Sequence, residues 1–433
     1  MKVQSRLIAA AVAGVMTLSL SACGRDAGNS GGENTGDTGK SSAAGSDIAS
    51  GPATGSLDVW AMGVEGEKLP ELVKKFEDEN PDVTINVTAV PWESAHDKFT
   101  AAIAAGTTPD VAQVGTTWMG EFVGLDALDA TPGLIDAAQF FEGAQATTMV
   151  DGTSYAVPWY VETRLVYYRT DIAKAAGITD VPKDWDALKD MARKMQQQDG
   201  VDWGINLQPG GTGSWQTVLP LMWSNGGAVT DDDVSKFTFD TPENAEALSY
   251  YQSFFGEKIA NSAPTEGMTE TQFADGSVPM FISGPWMMGA VEAAGGDGFA
   301  DKYDVFEMPV KKSSASFIGG SNLAVFKASD NRDAAWKLVQ YLTDAQTQVT
   351  WFEISTDLPA VQSAWEDDAL QADEKLAKFG TQLESAFAPP SISTWEQVAD
   401  QLDGEVEKVT KTGADPAEAL ANVQKQATSI GMG

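Results

Sequence analysis

Leu57-Asp58-Val59-Trp60-Ala61-Met62 opens the folded part of the chain as a short apolar strand pattern, and the residues after it decide the fold. Leu69, Leu72, Val73 and Phe76 recur at three- and four-residue spacing, the signature of an amphipathic helix. Asn80-Pro81 closes that helix, and Val83, Ile85 and Val87 then alternate as one face of a strand. A second helix over about residues 97–105 stops at Gly106, and Asp110-Val111-Ala112-Gln113-Val114 comes next as a third strand. Helices returning between short apolar strands imply a parallel sheet covered on both faces. Further along, Trp185-Asp186-Ala187-Leu188, residues 245–255 and residues 334–342 read as helices, and there is no internal repeat.

Upstream, residues 24–56 are Gly, Ser, Ala, Asn, Asp and Thr with almost nothing to bury. Such a composition makes a flexible tether, whose root-mean-square reach of about 5–6 Å times the square root of its length is on the order of 30 Å. Lys2 and Arg6 precede an uncharged apolar run over residues 7–20, too short for an ordinary transmembrane helix and suited to an export signal. Leu20-Ser21-Ala22-Cys23 resembles the bacterial lipobox, in which the thiol is lipidated before cleavage makes it the new N-terminus. Residues 1–22 are then a lipoprotein signal peptide and residues 23–56 a linker that Cys23 anchors to the extracytoplasmic face of the cell membrane. The alternative is a plain secretory signal with an incidental cysteine after it, yet Cys23 is the only cysteine in the 433 residues. With Cys23 used as the anchor, no intrachain disulfide can form.

Removing residues 1–22 leaves 411, beyond the size at which one hydrophobic core stops growing, so two lobes are expected. That mature chain carries 26 basic against 62 acidic side chains. A surface so acidic repels phosphate backbones and excludes nucleic acid as a partner; the rest of the charge serves solubility.

Several segments, in their order and spacing, are together similar to one family. They are Phe76-Glu77-Asp78-Glu79-Asn80-Pro81, Ala105-Gly106-Thr107-Thr108-Pro109-Asp110-Val111, Asp151-Gly152 with Tyr155-Ala156-Val157-Pro158-Trp159-Tyr160, Ser283-Gly284-Pro285-Trp286, Gly319-Gly320-Ser321-Asn322-Leu323-Ala324-Val325 and Leu358-Pro359-Ala360. The chain resembles the extracellular solute-binding proteins of carbohydrate ABC importers, the maltose-binding-protein-like group. The resemblance implies a two-lobed α/β fold, each lobe a mixed sheet flanked by helices, with the ligand cleft between them. It places the first lobe at residues 57–160 plus about 318–372 and the second at about 161–317 plus 373–433, with crossings near residues 159–164 and 308–319. It further implies a monomer that takes no cofactor and delivers a sugar to the permease subunits of an ABC importer.

A sugar needs flat apolar faces for its ring C–H groups and fixed polar groups for its hydroxyls. Trp60, Trp185 and Trp336 sit in strand or helix patterns and read as core. Trp118, Trp159, Trp215, Trp286 and Trp395 fall in stretches rich in Gly, Pro, Ser and Thr, where binding residues concentrate, so each divides between ligand contact and packing. Trp92 and Trp351 are assigned to neither. At the first crossing, strand alternation sends Tyr160, Glu162 and Arg164 to one side. They are candidates for hydroxyl contacts, against a structural ion pair between Glu162 and Arg164. Gly320, Ser321 and Asn322 offer close backbone N–H groups or, alternatively, a tight turn before a strand at residues 323–326. In the first lobe Glu65, Asp110 and Gln113 lie at strand ends, where open α/β sheets meet a crevice, although Asp110 beside Pro109 suits backbone capping equally.

Enzymatic constellations are thin. His96 is the sole histidine, with an exposed or capping role expected, and one His with one anchored Cys makes no zinc site. Asp231-Asp232-Asp233 lacks the rest of a calcium loop and reads as a solvated turn. Residues 63–68 have the wrong spacing for a phosphate loop. Two alternatives to a sugar receptor stay open: a secreted glycoside hydrolase, which needs only a pair of carboxylates, and a receptor of the same fold for a non-sugar solute.

Overall fold

The structure, a computed structural model, describes residues 45–433 except Glu266 and the side chain of Glu93. Cys23 and the expected export signal therefore lie outside the described residues. Of the stretch expected to be linker, residues 45–56 belong to the body. The Gly45 amide donates to Thr131 O at 2.8 Å, Arg332 donates to Ser46 O at 2.9 Å, and Ala49 N reaches the Asp333 carboxylate at 3.0 Å. Ala53 is buried and its amide donates to Asn80 Oδ1 at 3.0 Å. Composition missed this because the contacts are made by backbone, which carries no residue signature.

The first sheet has seven strands. β1 (Gly55–Met62) pairs in parallel with β2 (Val83–Val90) on one side and β3 (Val111–Gly115) on the other. The helix Gly63–Glu79 joins β1 to β2 and buries Leu69, Leu72, Val73 and Phe76, the stripe read from the sequence. The helix Trp92–Ala105 joins β2 to β3 and ends on Gly106, whose φ of 65° is the left-handed cap glycine tolerates best. Beyond a hairpin of β4 (Met149–Val150) and β5 (Thr153–Ser154) come β6 (Val157–Thr163) and, after a one-residue gap at Arg164, β7 (Leu165–Arg169). β8 (Met280–Ser283) and β9 (Tyr303–Phe306) flank β7 on either side, both antiparallel, to make a separate three-stranded sheet. β10 (Ser316–Val325) then returns to the first sheet between β3 and β6, antiparallel to both, so the sheet is mixed rather than parallel throughout. β11 (Leu358–Pro359) pairs β6, and β12 (Ala386–Phe387) pairs the start of β10.

The strands move three of the expected lobe limits. Residues 161–163 complete β6, residues 316–317 begin β10, and residues 386–387 pair with β10, all within the seven-stranded sheet. Family spacing locates a crossing only to within a few residues, whereas ladder hydrogen bonds fix it. Gly319 and Gly320 do not form a turn; they lie inside β10, where the register shifts between Ser321 and Asn322.

The three-stranded sheet is apolar on both faces. Leu165 and Tyr167 pack toward Phe273, Phe281 and Met287, while Val166 and Met280 pack toward the helices Trp185–Gln196, Trp215–Ser224, Pro242–Gly256 and Trp395–Thr412. Each such fully buried side chain stabilises the fold by roughly 1.5–3 kcal/mol in transfer terms, which is how a body without disulfides holds together.

Candidate ligand-binding site

Between the two sheets lies a cavity of about 740 Å³. β6 and β10 form its floor through Tyr160, Glu162, Gly319 and Gly320. One wall carries Glu65 from the first turn of the helix Gly63–Glu79, Trp92 from the start of the next helix, Trp118 after β3, and Asp357 before β11. The other wall carries Trp215 and Gln216 from the helix Trp215–Ser224 and Trp286 ahead of the helix Met287–Gly295. A second cavity of about 890 Å³ is larger, but residues 131–157 and Gln362 line it without any tryptophan and without residues of the three-stranded sheet. The smaller one therefore fits a sugar better.

Alternation along β6 does what the sequence suggested for two residues. Tyr160 and Glu162 face the cavity, while Trp159 beside them is fully buried and stacks on Trp351 at 4.9 Å. Trp159 is thus corrected from ligand contact to core, because odd positions of the strand point the other way. Trp395 is corrected likewise. It shares the buried face of its helix with Val398, Ala399 and Leu402, at helical spacing.

The polar groups form two clusters. In the first, the Tyr160 hydroxyl donates to Glu65 Oε1 at 2.9 Å and accepts from Ser321 Oγ at 3.2 Å. Gln113, fully buried, accepts from Met62 N at 2.6 Å and donates to Ser321 Oγ at 3.1 Å. Gln113 and Ser321 therefore stand behind the cavity and orient Tyr160. Asp357 accepts from Trp351 Nε1 at 3.0 Å. Burial first, and the Glu65 carboxylate second, push the Asp357 carboxyl up to about 7. The same two causes hold the Tyr160 hydroxyl well above the ordinary phenol range.

In the second cluster the Arg164 guanidinium donates to Glu162 at 3.0 and 3.4 Å and to Gln216 Oε1 at 2.7 Å. Its centre lies 4.6 Å from the Trp286 ring. Arg164 does not line the cavity; sitting in the gap between β6 and β7, it ties the floor to the far wall. Gly320 fits only as glycine, since its φ is 119° and a Cβ there would overlap the Tyr160 carbonyl.

Of the remaining candidates, Glu65, Trp118, Trp215 and Trp286 line the cavity, with Trp286 half exposed and Trp215 nearly covered. Asp110 is corrected to the capping alternative: its carboxylate accepts from Asp58 N at 2.8 Å and from the Ser329 hydroxyl. Asn322 is corrected to a buried partner of Thr147, at 3.0 Å. Trp92, Gln216 and Asp357 were missed. Trp92 begins a helix, Gln216 adjoins the candidate Trp215 in a Gly-rich stretch, and Asp357 immediately precedes Leu358-Pro359, which was the one signal available for it. His96 pairs with Glu121 at 2.9 Å and packs beside Trp118.

Two lobes with an aromatic and acidic cavity between them, joined by crossing strands, define a solute-binding protein of the periplasmic-receptor architecture. Residues 62–349 match the family described as bacterial extracellular solute-binding protein, and the chain belongs to that family. The solved sugar-binding protein MalE of Xanthomonas citri superposes with a TM-score of 0.82 at 30% identity, over 87% of this chain and 97% of that one. The maltotriose-binding protein of Pyrococcus abyssi is 26% identical over 78% of this chain and 73% of its own length. The galactooligosaccharide-binding protein of Bacillus subtilis is 25% identical over 94% and 92%.

Proposed function

We propose that the protein captures a di- or oligosaccharide, with α-glucosides favoured, in the cavity between its lobes and delivers it to the permease subunits of an ABC importer. Cys23 holds it by a lipid on the outer face of the membrane, and it acts as a monomer that binds without turnover. The observation that carries this reading is the pairing of tryptophan faces, Trp92, Trp118 and Trp286, with the carboxylates Glu65, Glu162 and Asp357 around one cavity. Indole faces suit sugar C–H surfaces, and carboxylates accept from sugar hydroxyls. The ligands named for the relatives, maltotriose and galactooligosaccharides, support the same class.

Sugar contacts to both walls exist only when the lobes are closed, so ligand shifts the population toward closure. The expected affinity is near micromolar, about −8 kcal/mol. A thermal-shift screen of the mature protein against mono-, di- and oligosaccharides, backed by calorimetry, tests the reading. A dissociation constant that neither Trp286→Ala nor Glu162→Ala changes would place the site elsewhere, and cleavage of the sugar would replace binding by hydrolysis. Release of Cys23→Ala from the membrane fraction tests the anchor.

A further inference from the structure

Three of the tryptophans that line the cavity, Trp92 and Trp286 exposed and Trp118 partly so, each lie against a glycine. A Cβ on Gly63 would stand 2.6 Å from Trp92 Cδ1, and one on Gly115 would stand 3.0 Å from Trp118 Cδ2 and Cε2. One on Gly284 would overlap Trp286 Cζ3 and Cη2 and lie 2.6 Å from its Cε3. At Gly63 the backbone itself asks for glycine, since φ is 51°. The other two differ. Gly115 has φ −59° and ψ 140°, a conformation open to any residue, and Gly284 is not among the glycines at positive φ. Neither position has the left-handed φ that asks for glycine; the neighbouring indole crowds both, slightly at Gly115 and outright at Gly284.

We infer that Gly115 and Gly284 are specificity-determining positions: each leaves a notch in which a tryptophan seats, and the two notches on opposite walls set the width of the aromatic slot. This rests on the sugar-binding reading above.

Carbon atoms in contact rest at about 3.5–4.0 Å, so a methyl on Gly115 asks Trp118 to give by a few tenths of an ångström, whereas one on Gly284 drives Trp286 by more than about 1 Å. Sideways escape is restricted. Trp118 is packed edge-on against Trp92 at 6.3 Å and His96 at 5.1 Å, and Trp286 lies against Arg164 at 4.6 Å. Both indoles line the cavity and Trp286 is half exposed, so the cavity is the side left open to them. The backbone beneath it is held in place, because the Tyr167 hydroxyl donates to Gly284 O at 2.7 Å. Either substitution therefore narrows the slot without unfolding the lobe that carries it, and the penalty grows with the number of sugar rings that must pass between the indoles.

The test is calorimetry on the mature protein with glucose-based and galactose-based oligosaccharides of two, three and four rings. For the series that wild type binds, Gly284→Ala should weaken the four-ring ligand about tenfold more than the two-ring ligand, and Gly115→Ala should do the same to a smaller degree. Gly404→Ala, in mid-helix with nothing within 4 Å of the added Cβ, serves as a control for the substitution itself and should leave the order of affinities unchanged. Trp286→Phe deletes the ring atoms that overlap the notch, so adding Gly284→Ala to it should cost little further; that coupling separates seating from a general structural role. Equal losses for all lengths, or losses that add to those of Trp286→Phe, overturn the proposal while leaving the sugar reading intact. Failure of wild type to bind any of these sugars overturns both.

Discussion

Two carboxylates stand at the edge of the same cavity in opposite surroundings. Glu162 has a guanidinium against both of its oxygens, and that guanidinium in turn holds Gln216 across the cleft. Asp357 has a carboxylate for its neighbour; the cation that acts on it, Lys68, spends its ammonium on Ile354 O at 2.7 Å. The difference teaches how the cavity divides its work. On the Glu162 side a cation matches the charge and fixes geometry, whereas on the Asp357 side the carboxylates have only neutral donors, the Trp351 indole and the Tyr160 hydroxyl, and no guanidinium against them.

The largest effect that could break this contrast is expected from Arg164→Met. It leaves Glu162 poorly solvated and unpaired and removes the tie to Gln216, so stability should fall on the order of 3 kcal/mol and binding should largely disappear. Urea denaturation and calorimetry measure both, and an unchanged midpoint would show that Glu162 does not need its partner.

Asp357→Asn comes next. A carboxyl raised in the folded state contributes stability that is present below its unfolded value near 4 and lost as pH rises through about 7. Wild type should therefore lose on the order of 2 kcal/mol relative to the Asn variant across that window, after allowance for solvent on the cavity side. Denaturation midpoints at several pH values test the sign. Sugar hydroxyls favour the ionised carboxylate, so wild-type affinity should strengthen as pH rises through 7, and a flat profile would remove Asp357 from the site. The smallest effect belongs to His96→Ala. The His96–Glu121 pair is about one-third exposed on each side, so its loss should cost less than about 1 kcal/mol and give the solvated reference for the two buried cases.

Much of this arrangement was legible in the chain itself. Periodicity marked the first strand and the helix after it, and alternation along residues 159–164 placed Tyr160 and Glu162 on the cavity side. The tryptophans were harder. Trp286 and Trp395 both sit in Ser/Thr-rich or Gly/Pro-rich surroundings, yet Trp395 begins a helix whose apolar stripe draws it inward, and a loop-like composition upstream concealed that. Asp357 escaped because its importance comes from Glu65, nearly three hundred residues away in the chain, and such proximity has no local pattern. The Gly45–Ala53 contacts escaped for a related reason, being made through main-chain atoms.

Those contacts also have a mechanical meaning. Thr131, Asn80, Arg332 and Asp333, which hold residues 45–53, all belong to elements around the seven-stranded sheet. A pull along the chain from its N-terminal side would therefore be borne first by the elements around the seven-stranded sheet and not by the three-stranded one.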